Sequence, residues 1–193
     1  MIKAIIFDCF GVLYLHKGPE FVKTHASNYA AIKNQVEDLG SQANYGLISQ
    51  SDYAQGIADL LKLPLKEVAI GILEGFGRND ALVDYIEHEL RRSYKIGLLS
   101  NISRGTMDSF FTNHERGALF DAVALSAETG VVKPSPAAYV NICNDLGVDT
   151  SEAIMVDDLL ENCRGATLTG MQAVEYKDFL QLKHTLNDML ARD

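Results

Sequence analysis

Residues 2–7 form a short apolar run rich in β-branched side chains; it stops at Asp8, and Gly11 lies just beyond. A strand buried on both faces reads this way, as continuous apolarity rather than alternation, and the glycine marks the turn that follows. From about residue 21 to 84 the texture changes, and apolar residues recur at helical spacing, as at Tyr53, Ile57, Leu60 and Leu61. Ser49-Gln50-Ser51-Asp52 has the form of a helix start, in which a hydroxyl and a carboxylate cap each other's backbone N–H groups. Leu63-Pro64 and the glycines at 71, 75 and 77 break the periodicity, so several short helices and no strand are expected here.

After Asp80 the pattern returns to alternating elements. A helix is expected over 81–93, with Leu82, Tyr85, Ile86, Glu89 and Leu90 near its inner edge, then a strand over 95–99 ending at Ser100-Asn101. Residues 104–113 read as helical, 122–125 as a strand, and 136–146 as a helix stopped by Gly147. A fourth strand over 153–156 ends at Asp157-Asp158; a helix over 161–169 stops at Gly170, and a strand over 171–176 and a helix over 178–191 close the chain. Strands alternating with helices predict an α/β fold: a parallel sheet with helices on both faces, and a helical insert after the first strand.

Composition narrows the function. Of 193 residues, 47% are hydrophobic and 22% charged, the balance of an ordinary globule with room for one domain and a small accessory unit. Seventeen basic against 26 acidic side chains give a formal charge of −9, which argues against nucleic acid as a partner. No run approaches the ~20 apolar residues of a membrane span. The opening stretch MIKAIIFDCFGVLYL is interrupted by Asp8 and lacks a small-residue cleavage site, so it reads as a buried strand rather than a signal segment. Cys9, Cys143 and Cys163 match no zinc spacing and cannot all pair, which points to a reduced, cytoplasmic compartment. Cys9, beside Asp8, reads as a small buried filler.

In an open parallel sheet, ligands bind outside the carboxyl ends of the strands. Asp8, Ser100-Asn101 and Asp157-Asp158 each end a strand, and Lys133 follows the third strand in GVVKPSP. Any one of these could be a turn residue, a helix cap or a solvated loop lysine. Together they place polar groups from four distant stretches at one edge. Carboxylates brought to one point repel, so a hard cation such as Mg²⁺ is expected between them. A carboxylate there can attack phosphorus, while Lys133 and Ser100 hold the charge of the nonbridging oxygens.

Four stretches, IIFDCFGVLY, IGLLSN, VVKPSPAAY and IMVDDLLENCRGA, resemble in order and spacing the motifs of the haloacid dehalogenase superfamily, over nearly the whole chain. The resemblance implies a Rossmann-like core over 1–14 and 81–193 with a helical cap over 15–80; the segment YGLISQSDYAQGIADLLKL looks like the cap of the phosphatase branches. It implies Asp8 as nucleophile, and Mg²⁺ held by Asp8, the backbone carbonyl of Phe10 and Asp158. Asp157 would bind the metal directly, act through a water or hold Lys133. Ser100, Asn101 and Lys133 would bind a small phosphorylated substrate, with Asn101 and Asn162 as supporting groups; Asn162 serves equally well as a helix-start residue. His16, Lys17, His25, Tyr45 and Arg78 are the insert residues that could face substrate.

The chain departs from the phosphatase pattern at Phe10, where a second aspartate usually stands as general acid and base. Such help is worth roughly 10²–10⁴-fold. Three readings stay open. The first is a phosphatase that prefers good leaving groups or borrows another acid, similar to the glucose-1-phosphatase-like members, where the paired acid is also missing. The second is a 2-haloacid dehalogenase, which carries an aromatic at this position; Asp157-Asp158 and the lack of an arginine before Arg78 argue against it. The third is a catalytically weak binding or regulatory protein. A single subunit can hold the complete site.

Overall fold

The computed structural model describes residues 1–17 and 20–191. Strand β1 (Ala4–Phe7) is buried along its whole length and is the central strand. Strands β4 (Lys95–Ser100) and β6 (Ala153–Asp157) flank it, both parallel, with Phe7 opposite Leu98 on one side and Val156 on the other. Strands β5 (Ala122–Leu125) and β7 (Gln172–Glu175) complete a parallel sheet of order β5-β4-β1-β6-β7. The period of two sorts the side chains. Ile5, Phe7, Ile96, Leu98, Ile154 and Val156 pack with helices α5 (Asp80–His88) and α10 (Phe179–Leu190). Ala4, Ile6 and Met155 pack with α8 (Pro136–Leu146) and α9 (Leu160–Thr167). Such two-sided burial is what a parallel sheet requires, and the α/β fold expected from the pattern is the fold observed.

Four helices fill the insert: α1 (Phe21–His25), α2 (Tyr29–Asn44), α3 (Gln50–Leu61) and α4 (Leu65–Glu74). They bury Val22, Ile57, Ala58 and Val68 in a small cluster of their own. Helix α3 opens with the expected reciprocal cap: Ser49 Oγ accepts from the Asp52 N–H and the Asp52 carboxylate accepts from the Ser49 N–H, each at 3.1 Å.

The expectation of no strand in this segment is corrected. Strand β2 (Tyr14–His16) pairs antiparallel with β3 (Phe76–Arg78), Tyr14 opposite Arg78 and His16 opposite Phe76. Three residues interrupted by Gly77 give no alternation to read, and the ribbon forms because the core fixes its base. Buried Asn79 donates to the Val12 carbonyl at 2.8 Å and to the Tyr176 hydroxyl at 2.7 Å.

Two helix expectations also change. Residues 104–113 are not one helix: a short 3₁₀ turn (Thr106–Ser109) is followed by α6 (Asn113–Leu119). Thr112 and Glu115 form a reciprocal cap, and that local signal starts the helix nine residues later than the apolar pattern suggested. Helix α5 ends at His88, and a 3₁₀ turn over Leu90–Arg92 replaces its last expected turn. A four-residue helix, α7 (Ser126–Thr129), follows β5 without a periodic signal of its own.

Candidate active site

Strands β1, β4 and β6 are parallel, so their carboxyl ends share one edge, and Asp8, Ser100 and Asp157 lie there with Asp158. Oxygen atoms of Asp8, Asp157 and Asp158 fall within 4.8 Å of one another. The Lys133 ammonium reaches between two of them, 2.9 Å from Asp8 Oδ1 and 2.6 Å from Asp157 Oδ2. Asp8 is 7% exposed, Lys133 4% and Asp157 0%, so these charges interact with little solvent screening.

The backbone around each group explains its position. Asp8 Oδ1 accepts the Cys9 N–H at 2.6 Å, and the Asp8 N–H continues the sheet ladder to the Val156 carbonyl. Gly11 has φ +84°, and a Cβ built there would lie 2.3 Å from Asp158 Oδ2. The turn after β1 therefore needs glycine both for its left-handed backbone and for the space that the Asp158 carboxylate occupies. Asn101 grips the lysine loop, its Nδ2 donating to the Lys133 carbonyl at 2.9 Å and its Oδ1 accepting the Lys133 N–H at 2.8 Å. Asp157 is fully engaged: Oδ2 takes the lysine, while Oδ1 accepts the Leu159 N–H and Asn162 Nδ2, each at 2.9 Å. Asn162 thus supports Asp157, and its own carbonyl accepts from the Tyr139 hydroxyl. Among the described residues, Ser100 Oγ is the one buried side-chain polar atom with no hydrogen-bond partner. An unsatisfied buried hydroxyl costs about 1–3 kcal/mol, so this one is open to a hydrogen-bonding partner.

Electrostatics follow from the charge count. Three ionised carboxylates against one ammonium leave an excess of negative charge. Burial pushes Asp8 up to about 6, opposed by Lys133 and reinforced by Asp157. Burial, then Asp157, also raises Asp158. For Lys133, burial pulls the ammonium down, but Asp8 and Asp157 outweigh it and the net shift is upward. A divalent cation beside these oxygens would relieve the excess, so the donor set fits a hard, oxygen-preferring ion. Cys9 is buried and its thiol is pushed up by burial and by Asp8, which makes it an inert filler.

The family model described as haloacid dehalogenase-like hydrolase matches residues 2–168. The chain belongs to this family. It is 27% identical over 181 residues to a sesquiterpene phosphatase of Aspergillus oryzae, covering 92% of this chain and 91% of that one. Over 86 residues it is 34% identical to human N-acylneuraminate-9-phosphatase, 44% of this chain and 35% of the relative. A haloacid dehalogenase-family enzyme of Bacteroides thetaiotaomicron, solved in complex with magnesium and inorganic phosphate, shares the fold with a TM-score of 0.78 at 21% identity, covering 94% and 99% of the two chains. The protein is accordingly an enzyme of the hydrolase class with phosphatases among its relatives.

Of the five insert residues singled out above in this haloacid dehalogenase-like hydrolase, His16 stands near enough to Asp158 to act on its carboxylate, against the upward push of burial and Asp157. Arg78 pairs with Glu115 at 2.7 Å and Asp80 at 3.4 Å. His25 stacks on Phe21 and Lys17 and Tyr45 are exposed. His16 leans on Phe76, with ring centroids 4.6 Å apart. Phe10 instead joins an aromatic group, 4.7 Å from Phe76 and 5.0 Å from Phe110. Gly11's role in seating Asp158 and the Phe76 and Phe110 contacts were missed in the sequence, where only the turn-forming glycine gave a local signal.

Proposed function

We propose that the protein is a cytoplasmic, Mg²⁺-dependent phosphohydrolase acting on a small phosphorylated substrate through an aspartyl-phosphate on Asp8. The observation that carries this reading is the convergence of three carboxylates, one buried lysine and an unpartnered serine hydroxyl at a single sheet edge. Asp8, Asp158 and the Phe10 carbonyl would hold Mg²⁺, which supplies positive charge opposite the transferring phosphoryl group. Asp157, with both oxygens occupied, holds Lys133 in place rather than competing for the ion.

An Asp8 carboxylate oxygen attacks phosphorus, and the bond from phosphorus to the leaving oxygen breaks. The Ser100 hydroxyl donates to a nonbridging oxygen, and the Lys133 ammonium holds the charge that collects there. Asn101 fixes the lysine loop and keeps a second N–H for the phosphate. Water then attacks the phosphorus of the aspartyl-phosphate, releasing phosphate and restoring Asp8. Residues 15–80 act as a cap over the core formed by 1–14 and 81–193. Phe10 offers no proton, so substrates with good leaving groups are favoured.

The names of the relatives place a sesquiterpenoid and an acidic sugar among the substrates of similar enzymes, two chemistries that need opposite pockets. The test is hydrolysis of p-nitrophenyl phosphate with and without Mg²⁺, beside Asp8→Asn. Mg²⁺-dependent release that falls by about 10³-fold or more in the variant is expected, the scale seen when a nucleophile is removed. Equal activity of a folded Asp8→Asn protein would end the nucleophile assignment.

A further inference from the structure

We infer that the organic part of the substrate is uncharged and chiefly apolar, and that it sits in a cavity between the insert and the core. This rests on the phosphohydrolase reading and adds the substrate class. The cavity, about 270 Å³, is walled by Phe10, Phe76, Phe110, Ile72, Leu73 and Ile102, with the remaining wall made of small, amide and hydroxyl side chains. Among the described residues it is lined by no Asp, Glu, His, Lys or Arg, and Tyr53 is its one titratable group.

Its position ties it to the reaction centre. Phe10 lies two residues beyond Asp8, and Asn101, also in the wall, grips the backbone of the lysine that touches Asp8. A phosphate placed on Asp8 and Ser100 therefore has this cavity beside it. The three phenylalanines hold one another at centroid distances of 4.7 to 5.9 Å, so the apolar wall is braced by its own packing. A carboxylate or ammonium on the substrate would be desolvated there with no counter-charge, a cost that excludes it. Amides and hydroxyls at Asn44, Gln50, Ser103 and Thr106 can satisfy an isolated hydroxyl or ether. A cavity of about 150 Å³ already accepts benzene, so the space suits a group up to about the size of a fused bicyclic ring. His16 and Glu20 belong to a neighbouring hollow that shares only Tyr53, Ile72 and Phe76 with this one.

The experiment compares kcat/KM, with Mg²⁺, for 1-naphthyl phosphate, 4-carboxyphenyl phosphate and glucose 1-phosphate. The first two are both aryl esters, one apolar and one charged; the third is polar and uncharged. The wild-type protein is expected to favour 1-naphthyl phosphate by about tenfold or more, the scale on which apolar pockets discriminate. Ile72→Lys and Leu73→Lys, each checked for native secondary structure by circular dichroism, are expected to lower the naphthyl-to-carboxyphenyl ratio about tenfold, because the ammonium gives the carboxylate a counter-charge and disfavours the apolar ring. A wild-type ratio near or below one, or a ratio unmoved in a folded variant, would overturn the apolar assignment while leaving the phosphohydrolase intact. Preference for glucose 1-phosphate would do the same. No Mg²⁺-dependent turnover of any of the three would remove the phosphohydrolase reading, and this inference with it.

Discussion

The two sides of Phe10 differ in kind. Towards the sheet, Asp8, Asp157 and Lys133 are buried and bonded to one another or to backbone. Towards the insert, the cavity wall carries no charged side chain among the described residues. On the proposed reading the first side holds the phosphoryl group, and its fixed charges act strongly because they are buried in a low dielectric. The second offers an ionic group no counter-charge. The division teaches that the proposed chemistry and the proposed selectivity draw on different parts of the chain: strand ends for the one, and helices α2, α3 and α4 for much of the other.

Breaking the charged side should have the largest effect. Lys133→Ala leaves Asp8 and Asp157 buried without their shared counter-charge. Removing one partner of a buried pair costs about 3–5 kcal/mol, so urea denaturation should show a loss of that size, with turnover down by about 10²-fold or more. A stable, active variant would mean that another cation serves the site. Asp158→Ala should raise the Mg²⁺ concentration needed for half-maximal activity by about 10–100-fold, with little loss of stability, because Asp158 is only half-buried and Asp157 keeps its partners. An unchanged Mg²⁺ titration would move the ligand role to Asp157.

Phe10→Asp tests the boundary itself. It restores the position of an acid but removes one ring of the aromatic wall. Activity towards esters of poor leaving groups should rise by up to about 10²-fold, while kcat/KM for apolar aryl esters falls. No gain with poor leaving groups would show that the surrounding rings, not the missing proton alone, set the preference.

The smallest effect concerns stability and pH. Without metal, folding raises Asp8 from 3.8 to about 6. The folded state then binds this proton more tightly than the unfolded state, so the stabilisation is present below about pH 4 and is lost as pH rises through about 6. Metal-free Asp8→Asn should therefore be more stable than the parent at pH 8 by about 1–3 kcal/mol, read as a higher thermal midpoint. Mg²⁺ should narrow the difference by stabilising the parent. A less stable variant would show that the Asp8 pairing with Lys133 outweighs its burial.

The core was legible in the sequence because its signals are local and redundant. Continuous apolar runs gave β1, β4 and β6, and the polar residue ending each gave a station at the active edge. The cap of α3 was legible for the same reason, since Ser49 and Asp52 carry the signal themselves. The ribbon of β2 and β3 was not, because its pairing is dictated by Asn79 and the core rather than by its six residues. The cavity was hidden too. Its wall gathers residues from Phe10 to Phe110, and packing alone makes them neighbours. Charged insert residues looked more informative than Ile72 or Leu73, yet Arg78 spends its charge on Glu115 and Asp80.

The most direct test of the account is capture of the covalent intermediate. The protein is mixed briefly with Mg²⁺ and p-nitrophenyl phosphate, quenched, treated with borohydride and digested for peptide mass spectrometry. An acyl phosphate is reduced to an alcohol, so the account expects homoserine at position 8, dependent on substrate and absent from Asp8→Asn. Rapid phosphate release with unmodified Asp8 throughout would contradict it.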